Sequence, residues 1–121
     1  MRISSRRSIV GAVRPTQEGL VAPITAEQFN VNPAACEWVN GKITPQSGAC
    51  FSERLMLSDA LDRIPRKTYV LATVGALPPM QAVYDRVCGN AQWRTHTVDC
   101  GHDIMIDKPV ELADILLEAA G

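Results

Sequence analysis

The chain has 121 residues, 46% of them apolar, with a formal net charge of −1. That size suits one folded unit with a real core, burying roughly two-thirds of the surface that its unfolded chain exposes. The basic residues are scattered apart from Arg2, Arg6 and Arg7, and only two Trp, two Tyr and two Phe are present. These features argue against a nucleic-acid groove, which needs a concentrated basic face or a stacking platform.

In chain order, residues 1–24 show no sustained period and read as an irregular segment. The stretch from Arg2 to Arg7 has the charge of a signal n-region. The apolar Ile9, Val10, Ala12 and Val13 that follow are broken by Gly11 and Arg14, so no h-region forms. No apolar run approaches the ~20 residues that span a bilayer. The expected location is the cytoplasm, with an organellar transit segment as the alternative.

Residues 25–63 read as short helical pieces. Thr25 caps a single turn through Phe29, and Asn32-Pro33 opens a helix that Asn40-Gly41 ends. Cys36, Val39 and Ala35 make its apolar stripe. Further helical pieces are expected from Gly48 to Leu55 and from Ser58 to Arg63. The four cysteines, at 36, 50, 88 and 100, read as reduced, mostly buried small hydrophobes.

Residues 64–121 alternate regularly. A continuous β-rich run at about 67–74 fits a strand covered on both faces, as in a parallel sheet. Pro78-Pro79 opens a helix with Met80, Val83, Tyr84 and Val87 on one face, stopped by Gly89-Asn90. Residues 93–98 read as a second strand. After a loop from Asp99 to Lys108, Pro109 opens a last helix that buries Leu112, Ile115, Leu116 and Ala119. The fold class is therefore α/β: a βαβα unit with a small parallel sheet and flanking helices. Met80, Tyr84 and Trp93 are expected in the core, and Trp38 as the anchor of the second helical piece, with a place in the lining of a pocket as the alternative.

His102 is the principal candidate for chemistry. It follows Gly101 just past the carboxyl end of the second strand, where active groups of open α/β sheets gather. An imidazole there can act as a general base near neutral pH, or be an ordinary polar loop residue. His96, Cys100 and His102 offer zinc-type ligands, but at a spacing that matches no familiar finger. Cys100, two residues from His102, is poorly placed to present attack geometry to it.

The run Gly101-His102-Asp103-Ile104-Met105 followed by Pro109 and Glu111-Leu112 resembles the last βα unit of the α/β-hydrolase superfamily. The resemblance is to its branch of small esterases and hydroxynitrile-lyase-like proteins. Ile64-Pro65-Arg66-Lys67-Thr68-Tyr69-Val70-Leu71 and Trp93 extend it, and residues 25–62 resemble the trailing part of that branch's helical cap. The resemblance implies a partial α/β-hydrolase fold, hydrolysis of a carboxylic ester or related acyl bond, a small ester-like substrate, no cofactor and no metal. It makes His102 the base that takes the proton of a serine nucleophile.

Two departures from the family matter. No G-x-S-x-G occurs in the sequence, and Ser47 and Ser52 lack the strand-to-helix turn that activates such a serine. Near Gly75, where the family often has an aspartate, no carboxylate lies between Asp62 and Asp85. Asp99 and Asp103 are expected to solvate the loop or cap a turn rather than orient His102. The chain then reads as a C-terminal part lacking its nucleophile and inactive alone, or as an interaction module that kept the fold. An active hydrolase with an unconventional nucleophile is the third reading. An apolar parallel strand with an open edge invites a partner. The expected partners are a second copy, an N-terminal complementing chain, or residues 8–13 folded alongside; neither nucleic acid nor membrane is expected.

Overall fold

The computed structural model describes residues 19–121. The expected irregularity of residues 1–18, and the pairing of residues 8–13, lie outside them. The elements in chain order are β1 (Leu20–Val21), α1 (Pro33–Asn40), β2 (Gln46–Ser47), α2 (Ala49–Ser52), β3 (Lys67–Ala72), α3 (Pro78–Val87), β4 (Trp93–Val98), α4 (Ile104–Asp107) and α5 (Pro109–Ala120).

β3 and β4 pair in parallel, with Lys67 opposite Trp93 and Ala72 opposite Val98. Both runs are rich in threonine and β-branched or aromatic residues, which suit a pleated, covered surface. The Thr73 N–H donates to the Val98 carbonyl at 2.9 Å. Odd-numbered residues of β3 therefore turn their main-chain groups toward β4. Those of Thr68, Val70 and Ala72 face an edge that carries no strand among the described residues.

The core beneath this pair consists of Ala72, Val98, Cys100, Ile104 and Ile115, with Val70 and Leu112 packed against it. Val98 is fully buried, worth about 1.5–3 kcal/mol relative to exposure. A second cluster joins Ala26, Val31, Cys36 and Val39, with Phe29, Ile43 and Ile106 against it. Ile104 and Ile106 stand two positions apart on the single turn of α4, hence on nearly opposite sides of it. One enters each cluster, so α4 rivets the two together.

The turn before α1 is built as expected and more. Thr25 Oγ1 accepts from the Gln28 N–H at 3.3 Å, and Gln28 Oε1 accepts from the Thr25 N–H at 2.9 Å. This is a reciprocal capping box. Asn32 caps α1 through the Ala35 N–H at 3.2 Å.

Several expectations need correction. Residues 20–21 are not irregular: they pair antiparallel with Gln46–Ser47. The helix expected from Gly48 to Leu55 is the four residues of α2, and Ser58–Arg63 forms turns with no helix. Both segments are exposed over nearly all their length, so little apolar burial rewards the cost of helix nucleation. Trp38 is 60% exposed and anchors nothing; Lys42 Nζ lies 6.0 Å from its ring centroid. Met80, Tyr84 and Trp93 are half-buried rather than core, and Leu116 is 58% exposed. The four cysteines are free, but only Cys36 and Cys100 are buried.

Candidate functional site

His102 lies four residues past the end of β4, at the carboxyl ends of the parallel strands. Three contacts fix its main chain. Its N–H donates to the Phe29 carbonyl at 2.9 Å. Gly75 presses against it so closely that a Cβ at Gly75 would lie 2.0 Å from the His102 nitrogen. Gly101 packs equally closely, with a Cβ position 2.0 Å from the Asn30 carbonyl oxygen. Only glycine permits either approach without displacing backbone.

The imidazole stacks on the Phe29 ring, with centroids 4.3 Å apart and planes inclined by 21°. It is partly exposed and faces a groove of about 220 Å³ between Met80 and Ile104, floored by Tyr69 to Ala72 of β3. The groove runs along the open edge of β3. Among the described residues neither ring nitrogen forms a hydrogen bond. The ring is thus packed on one face and, among the described residues, unclaimed at its nitrogens.

The neighbouring carboxylates do other work. Asp99 accepts from the Thr73 hydroxyl at 2.8 Å, which ties the loop to the end of β3. Asp103 begins α4 without a side-chain capping bond. Asp107 accepts from the Gly101 N–H at 3.0 Å, the Asn32 N–H at 3.0 Å and Asn32 Nδ2 at 2.9 Å. Burial works to raise the Asp107 carboxyl. The hydrogen bonds from Asn32 and Gly101, with Lys108 nearby, outweigh that and hold it below its ordinary value.

Cys100 is buried, its thiol donates to the Gly101 carbonyl at 3.3 Å, and burial followed by the charge of Asp107 pushes its pKa up. It is held as a thiol, not a thiolate nucleophile. His96 sits mid-strand opposite Val70. No group of three or more His, Cys, Asp or Glu side chains converges on a metal-sized site among the described residues. Ser47 lies exposed on β2 and Ser52 ends α2. Neither sits on a strand-to-helix turn of the parallel pair.

Phe29 and Asp107 belong to the site and were not singled out in the sequence. Both act across long separations, 75 residues in the case of Asp107 and Asn32, and no local pattern announces such contacts.

Over 98 residues, 81% of this chain, the sequence is 35% identical to a carbendazim hydrolyzing esterase from Nocardioides sp. (strain SG-4G). The similarity supports an esterase-like relationship. The chain spans 40% of the length of that esterase. No family model matches the sequence, and no solved structure matches it. No helix among the described residues is long and apolar enough to cross a membrane.

Proposed function

We propose that this chain is the histidine-bearing, C-terminal part of a cytoplasmic ester hydrolase of the α/β-hydrolase type, and that it turns over no ester by itself. The observation that carries the reading is the imidazole of His102 at the carboxyl ends of two parallel strands. It is braced by Phe29, faces a groove, and has both nitrogens unclaimed among the described residues. Similarity to an esterase across most of the chain supports it.

In the complete site, His102 takes the proton of a serine hydroxyl as that oxygen attacks the ester carbonyl. It then returns the proton to the departing alkoxide. The serine and its oxyanion donors come from a complementing segment, as does any carboxylate that hydrogen-bonds a ring nitrogen of His102 directly. No cofactor enters this chemistry. A non-enzymatic interaction module is the second reading, favoured by the exposure of Leu55, Met56 and Leu57 at 80%, 89% and 80%.

Incubating the purified chain and its His102→Ala variant with a p-nitrophenyl ester tests the proposal. Neither should release nitrophenol above the buffer rate. Turnover by the chain that disappears in His102→Ala would overturn the claim of inactivity and reveal a nucleophile within these residues.

A further inference from the structure

We propose that Asp107 is the positioning residue for His102, acting through Gly101 and Asn32. The assignment rests on His102 being the general base, and deepens that reading by naming what aims the ring.

One carboxylate receives three N–H donors from two sides. Its Oδ2 takes the N–H of Gly101, the residue immediately before the imidazole. Its Oδ1 takes the main-chain and side-chain N–H groups of Asn32. Asn32 caps α1 and lies three residues after Phe29, whose carbonyl holds the His102 N–H and whose ring supports the imidazole. The carboxylate therefore fixes the spacing between the loop that carries the base and the segment on which the base rests.

Hydrogen bonds to an ionised acceptor are shorter and about twice as strong as neutral ones. A neutral amide at 107 could accept from one side but would turn a donor toward the other. The other hydrogen bond between the two segments is neutral, from the His102 N–H to the Phe29 carbonyl, while Asn30 Nδ2 reaches instead to the Val74 carbonyl past the end of β3 at 3.2 Å. Gly101 also has its close approach to Asn30 on this side, so its backbone has little freedom while Asp107 holds it. A catalytic base displaced by ~1 Å loses about a hundredfold in rate, so a brace at this point sets how well the ring can serve.

Proton NMR of the 121-residue chain tests the assignment without any turnover. Stacking on Phe29 displaces the His102 ring protons upfield and gives Phe29-to-His102 ring cross-peaks. Asp107→Ala should abolish both, and Asp107→Asn should weaken both. Val87→Ala, a core truncation on α3, should lower the melting temperature while leaving the His102 signals in place. In the unaltered chain, the Gly101 amide resonance should move as Asp107 takes up its proton, a readout that needs no variant. Unchanged His102 ring signals in a folded Asp107→Ala chain would overturn the assignment. So would a Gly101 amide that does not sense that titration. Failure of His102 as the catalytic base would leave these signals untouched, so the two ideas fail separately.

Discussion

At the residue scale, the contact between Gly75 and His102 decides more than any single interaction at the site. The resemblance to hydrolases invites the thought that a carboxylate placed at Gly75 would complete a catalytic pair. The geometry opposes it, because the first atom of any side chain there meets the His102 backbone nitrogen at 2.0 Å. Gly75→Asp should displace the histidine loop and lower stability by about 2 kcal/mol or more, within the cost of overpacking a tight site. Chemical denaturation checks this; a Gly75→Asp chain as stable as the original would contradict it. The sequence shows the absence of an acid at Gly75, but its cause is spatial. The main chain of a residue 27 positions away occupies the place of the side chain.

At the scale of elements, α4 is the hub. From sequence, residues 99–108 read as a loop, because four residues are too few to show a helical period. In the structure Ile104 and Ile106 divide between two hydrophobic clusters, and Asp107 ties α4 to the start of α1. The strands and the two long helices were legible because each repeats its apolar pattern over several turns or pleats. β1 and β2, of two residues each, carry no pattern at all.

The Asp107 tie sets a pH dependence. Its folded-state pKa lies below the ordinary value of 3.8. Its contribution is fully present above the unfolded-state value and is lost as pH falls through the folded one. Stability should therefore decline below about pH 4. The Asp107→Asn chain should be less stable at neutral pH but show a shallower acid decline, read as denaturant midpoints against pH. Parallel acid limbs for the two chains would refute the tie.

At the scale of the whole molecule, the described residues leave a strand edge and apolar helix surface uncovered. β3 has an open edge at Thr68, Val70 and Ala72, and its groove ends at His102. Val110, Leu116 and Leu117 of α5 are 74%, 58% and 71% exposed. The continuous apolar run at residues 67–74 reads as a strand with a neighbour on each side, and among the described residues only one neighbour is present. Sequence patterns report the environment a segment is built for.

The role of His102 in a complete site is tested by co-expressing this chain with the part of the Nocardioides esterase outside the matched stretch. Ester hydrolysis is then assayed in the purified complex. A stable complex is expected, with hydrolysis that falls at least a hundredfold in His102→Ala, the scale of general-base catalysis. A complex that hydrolyses ester equally well without His102 would contradict it.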